Sequence, residues 1–151
     1  MIPPLTRKGL LPPGIHWATW EEFSARYGST PHREKLLEGL KAAMDNLEQA
    51  GCRAIYIDGS FVTSKQKPND FDACYESAGV DDKLLDPALL DFSERRARMK
   101  ERFGGELFPA KAVADWEKGR SFLDYFQRDK RTGKPKGIVG IKLSSQSESQ
   151  L

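Results

Sequence analysis

With 151 residues, of which 38% are hydrophobic and 10% aromatic, the chain has material for one ordinary core and not for two. Its 24 basic residues nearly cancel 22 acidic ones, which excludes a bulk attraction to nucleic acid or membrane and requires any such binding to come from a local patch. No apolar run approaches the roughly 20 residues that cross a bilayer, the proline-broken start is no signal peptide, and Cys52 and Cys74 read as reduced thiols, so a soluble, cytoplasmic chain with no membrane partner is expected.

Residues 1–16 carry Pro3, Pro4, Pro12 and Pro13 and are expected to form an extended arm on the body. Thr19 and Glu22 make a capping box that opens a short helix ending at Gly28. Thr30, with Pro31 after it, caps a longer helix whose Leu36, Leu37, Leu40, Met44 and Leu47 recur on one face until Gly51. "RAIYID" and "FDACYE" have strand composition, the second with Asp72 and Cys74 on one face and Phe71, Ala73 and Tyr75 on the other. An acidic loop leads into the basic helix "SERRARMKERF", which Gly104 and Gly105 stop. "ELFPA" is a third strand, "ADWEKGRSFLDYFQRDK" a helix weakened by Gly119, "KRTGKPK" a basic turn and "GIVGIKL" the last strand. Residues 1–143 are expected to form one α+β domain with a small mixed sheet flanked by helices, followed by a polar, disordered tail at 144–151.

The stretch from Tyr56 to Glu76, "YIDGSFVTSKQKPNDFDACYE", is the candidate site. Gly59 allows close backbone approach, and the free amides of a turn opening at Ser60, with the Ser60 hydroxyl, suit a phosphate. Asp70 and Asp72 lie two apart, so on a strand their α-carbons are roughly 6.5 Å apart on one face, within reach of a shared divalent ion. Magnesium prefers one or two carboxylates with substrate phosphates and water in its shell, which points to nucleotidyl transfer. Each piece also has a bland reading: Gly-Ser as an ordinary helix cap, "KPND" as a turn, and Asp-x-Asp as the wet side of a sheet.

A strand ending in Gly59-Ser60, a gap of about ten residues and the triplet Asp70-Phe71-Asp72 together resemble the polymerase-β-type nucleotidyltransferase superfamily. "LPPGIHWATWEEF", "DGSFVTSKQKPNDFD", "GGELFPA" and "FQRDKRTGKPKGIV" further resemble a functionally uncharacterised family of small bacterial proteins assigned to that fold, over Leu11 to Leu143. The resemblance implies a nucleoside triphosphate substrate, Mg2+ or Mn2+ at Asp70 and Asp72, and phosphate contacts from Gly59, Ser60, Lys65 and Lys67. It also implies a third carboxylate on a later strand, for which Glu106 matches by position and Asp58 is the second candidate. Similar minimal enzymes modify a protein side chain or an RNA end, and some act as antitoxins, so a toxin–antitoxin or defence context is implied by analogy of fold. The competing class is a non-catalytic nucleotide- or partner-binding module on the same fold.

Arg95, Arg96, Arg98 and Arg102 on one helix, and Lys130, Arg131, Lys134 and Lys136 in the last turn, form two basic patches. They read either as phosphate contacts for a nucleic-acid acceptor or, since no aromatic residues interleave them, as solvated faces. Trp17, Trp20, Phe122, Tyr125 and Phe126 are expected to anchor the core or arm rather than stack a base. His16 and His32 are isolated and make neither a zinc pattern nor a triad, with His32 expected in the first turn of its helix.

Overall fold

A computed structural model of the chain describes residues 1–63 and 68–143. Five strands form a mixed sheet in the order β1-β7-β2-β3-β4, where β1 is Gly14–Ala18, β2 Ala54–Asp58, β3 Phe71–Tyr75, β4 Gly105–Pro109 and β7 Gly137–Lys142. The central pairs β7–β2 and β2–β3 are antiparallel, while the outer pairs β1–β7 and β3–β4 are parallel. The α+β class and mixed sheet expected from the sequence are what the fold has.

The two N-terminal helices form where their caps predict. Thr19 accepts from the Glu22 amide to start α1 (Trp20–Tyr27), and Thr30 accepts from the Arg33 amide to start α2 (Pro31–Gln49). Leu40, Ala43 and Leu47 on the inner face of α2 are fully buried, as is Phe23 of α1, against Ile55, Ile57, Phe71, Ala73, Leu107 and Val139 of the sheet. The basic helix α3 (Ser93–Phe103) joins this layer through Met99 and Phe103 and ends at Gly104, whose φ of 86° is the left-handed stop that glycine adopts without strain.

Strand alternation sends the other residues to the opposite face, where Ala54, Tyr56, Cys74 and Ile138 pack with Ala110 and Phe126 in a second, smaller core. The strand "FDACYE" divides its residues between the faces as its alternation predicts.

Two expectations are corrected. The end of the arm is not irregular: residues 14–18 pair in parallel with β7, from Gly14 opposite Gly137 to Ala18 opposite Ile141. Local propensity around Pro12 and Pro13 carries no trace of a partner at the far end of the chain. The helix expected over 114–130 is instead a small hairpin, β5 (Val113–Asp115) and β6 (Arg120–Ser121), followed by a one-turn helix α4 (Phe122–Phe126). Asp115 accepts from the amides of Glu117 and Lys118, Gly119 takes φ 67°, and Ser121 caps α4 by accepting from the Asp124 amide. Those side-chain bonds make the turn in place of a helix.

Among the described residues no helix is long and apolar enough to cross a membrane. Cys52 and Cys74 are free and buried, and burial pushes both thiols up, that of Cys52 to about 11, as expected of unreactive core cysteines.

Candidate functional site

The site follows from strand register. Asp58 closes β2 opposite Asp72 on β3, and Asp72 lies opposite Glu106 on β4, so three carboxylate residues from adjacent strands form a row across the sheet. All three lie on the face away from α1 and α2 and line one cavity of about 600 Å³. The same alternation that buries Ile57, Ala73 and Leu107 under the helices puts the acids there. Asp70 stands just before β3 and is close enough for its charge to act on Asp72.

The row is unevenly compensated. Glu106 Oε1 receives both Lys100 Nζ (2.9 Å) and Arg96 Nη2 (3.2 Å) from α3. Asp58, only 5% exposed, pairs with Lys136, just before the last strand. Asp72 has no ion pair among the described residues. Burial first, then the charges of Asp70, Glu106 and Asp58, push its carboxyl up to about 7, with Lys130 opposing them.

The turn that follows α4 lines the same cavity. Asp129 ties it, accepting from the Arg131 amide and the Thr132 hydroxyl while its own amide donates to the Lys134 carbonyl. The bond from the Arg131 amide holds the Asp129 carboxyl below its usual range. The closed turn brings Arg128, Lys130 and Arg131 to the cavity, with Lys136 beside them. An aromatic wall completes it: Phe108 and Phe122 stack with centroids 4.0 Å apart, flanked by Tyr125 and Phe126.

The two basic patches therefore divide. On α3, Arg96 is spent on Glu106, Arg98 on Asp91 (3.7 Å) and Arg102 on Asp86 (3.3 Å), while the C-terminal turn lines the cavity with the acids. Phe122, Tyr125 and Phe126, expected only as anchors, also form a cavity wall; their spacing in sequence holds no sign of this because Phe108 comes from another element.

Gly59 and Ser60 open a 3-10 turn, Gly59–Val62, directly after β2, where the motif requires it. Lys65 and Lys67 lie outside the described residues, as does the tail at 144–151. Thr63, just after the turn, lines the cavity. Sequence reasoning missed Arg33, a buried residue of α2 that reaches this turn, and read His32 only as part of its helix, whereas its Nε2 donates to the Pro68 carbonyl.

Whether these residues suit a divalent cation is a question of charge and of spacing. Three carboxylates in register with a fourth beside them leave Asp72 in an excess of negative charge, which a cation at Asp70 and Asp72 relieves. Among the described residues, no three His, Cys, Asp or Glu side chains converge as a ready-made metal cage. The donor set fits a magnesium-like ion that takes one or two carboxylates and completes its shell with phosphate and water, and does not fit a cage of protein ligands alone.

No curated protein and no solved structure matches the chain. A family of unknown function, DUF6932, matches residues 3–142, nearly the full length, and the chain belongs to that family.

Proposed function

We propose that the chain binds a nucleoside triphosphate with Mg2+ or Mn2+ in this cavity and transfers its nucleotidyl group to a hydroxyl of a protein or RNA acceptor. The observation that carries the reading is the row Asp58–Asp72–Glu106 with Asp70 beside it, lining one cavity together with a turn rich in cations. Acids from the sheet and the cations Lys130 and Arg131 from the turn, lining one cavity, suit a substrate that brings phosphates together with a metal ion.

In this reading Asp70 and Asp72 hold the cation, the turn at Gly59 and Ser60 receives the terminal phosphates, and Lys130 and Arg131 neutralise their charge. Bound there, the cation supplies polarisation of the α-phosphate and neutralisation of the leaving group. The acceptor oxygen forms a bond to the α-phosphorus as the bond from that phosphorus to the bridging oxygen breaks. Pyrophosphate leaves with the electron pair of that bond. The acceptor proton passes to the carboxylate of Glu106, which lines the same cavity.

The ion pairs of Glu106 also favour a second reading. A carboxylate already paired with Arg96 and Lys100 is engaged in structure, which suits a module that binds a nucleotide or partner without turnover. One experiment separates the two. The protein is incubated with Mg2+ or Mn2+ and each labelled nucleoside triphosphate, with and without cell lysate, beside Asp70→Ala/Asp72→Ala. Label transfer that vanishes in the double variant is expected. Nucleotide binding with no transfer to any acceptor selects the module, and a double variant that binds metal and nucleotide as the wild type does refutes the site.

A further inference from the structure

The first turn of α2 breaks a local rule. Three residues after its N-cap Thr19, α1 holds Glu22, which suits the positive end of the helix dipole, whereas three residues after its N-cap Thr30, α2 holds Arg33, preceded by His32. Placing a cation there is unfavourable within the helix, and burying it costs more, yet Arg33 is only 5% exposed. Such a conflict between local preference and placement marks a residue held for a tertiary reason.

That reason is visible in its bonds. Arg33 Nη1 donates to the Phe61 carbonyl (2.7 Å) and, more weakly, to that of Tyr27 (3.5 Å), and Nη2 donates to the Thr63 carbonyl (3.3 Å). Its guanidinium lies over the Phe61 ring, 5.0 Å from the centroid. Two of the three carbonyls belong to the exit of the Gly59–Val62 turn. His32 Nε2 donates to the Pro68 carbonyl, so neighbouring residues of one helical turn grip the chain at 61–63 and again at 68. Asp58 and Thr63, on either side of the turn, line the acid-walled cavity.

We infer that Arg33, seconded by His32, is a positioning residue for the phosphate-binding turn: it draws the carbonyls at 61 and 63 toward α2, so that the turn offers the cavity its amides rather than oxygens that would repel phosphate. This rests on the reading of the cavity as a nucleotide site. A rigid fork with several donors suits two carbonyls at once, which a lysine ammonium on a flexible stem does not. Arg33 touches no reacting atom in this scheme and acts through the backbone it holds.

The test compares Arg33→Met, Arg33→Lys and Ala43→Gly, the last weakening α2 from its middle, away from the cavity. Binding of α,β-methylene nucleoside triphosphates with Mg2+ is measured, and amide hydrogen exchange is followed through residues 59–63. Arg33→Met is expected to bind about ten-fold more weakly, the loss of a charge-assisted hydrogen bond network, while Ala43→Gly binds as the wild type does. Millimolar guanidinium is expected to restore part of the affinity of Arg33→Met. Should Arg33→Met not fold, Arg33→Lys decides by exchange alone: faster exchange at 61–63 with β2 and β3 still protected supports the role. Unchanged exchange there, or nucleotide binding by a folded Arg33→Met within about two-fold of wild type, overturns it. Wild-type protein that binds no nucleotide refutes the proposed function instead, and exchange still reports whether Arg33 holds the turn.

Discussion

The two faces of the sheet use the same strands for opposite purposes. Toward α1, α2 and α3 the strands present Ile55, Ile57, Phe71, Ala73, Leu107 and Val139, all fully buried. One residue along each strand the other face begins, covered for part of its length by Phe126 and its neighbours and ending in Asp58, Asp72 and Glu106. The first face contributes stability through apolar area removed from water, at roughly 25 cal/mol per Å². On the second face the acids cost stability, because Asp72 sits among three like charges and two of those, Asp58 and Glu106, need lysine or arginine beside them. The pleat keeps these demands apart at a distance of one residue.

The largest test of that division lies on the helical face. Gly39 of α2 lies so close to α3 that a Cβ there would stand 1.8 Å from the Phe103 carbonyl. Helix propensity alone favours Gly39→Ala by about 1 kcal/mol, whereas the clash predicts a loss of about 3 kcal/mol in urea or thermal unfolding. A neutral or stabilising result would mean that the helical layer is looser than the structure has it.

On the acid face a polar substitution should act in the opposite sense. Folded Asp72 keeps its proton up to about pH 7, while the unfolded group loses it near 3.8. Between those values the unfolded state binds fewer protons, so this residue's contribution is fully present below pH 3.8, falls as pH rises toward 7 and is flat above. Asp72→Asn should remove that slope and stabilise the metal-free protein by about 1 kcal/mol at pH 8, while abolishing any nucleotidyl transfer. Melting curves from pH 4 to 8 check it. Added Mg2+ should raise the wild-type midpoint at pH 8 more than at pH 5 and leave Asp72→Asn nearly unmoved. Equal metal effects in both proteins would detach the cation from Asp72.

The smallest expected effect belongs to neither face. Lys41 and Asp45 form an exposed pair one helical turn apart, 2.6 Å between charged atoms. Lys41→Ala should change stability by no more than about 0.5 kcal/mol. A larger loss would show that the outer surface of α2 matters beyond its solvation.

Legibility in the sequence followed the range of the interactions. The caps at Thr19 and Thr30, the apolar stripe of α2, the stop at Gly104 and the alternation of β3 are decided within a few residues, and the structure has them where the pattern puts them. The hairpin at 113–121 was legible in principle, since Asp115 and Gly119 are turn residues, but the apolar stripe of Phe122, Leu123 and Phe126 extended the apparent helix backward. β1 was not legible, because a short strand after two prolines owes its form to β7. At the site, Asp70 and Asp72 announced themselves by spacing. The pairing of Glu106 with α3, the closure of the 127–136 turn beside the acids and the reach of Arg33 did not.

The sequence by itself determined which residues carry charge, where α1 and α2 begin, and which side of β3 is apolar, because those depend on neighbours along the chain. Only the tertiary structure decided that Asp58, Asp72 and Glu106 form one row, since register between strands is set by hydrogen bonds and packing among distant segments. It likewise decided that Glu106 and Asp58 have ion-pair partners while, among the described residues, Asp72 has none, because that balance depends on which helix and turn lie within a few ångströms of each carboxylate.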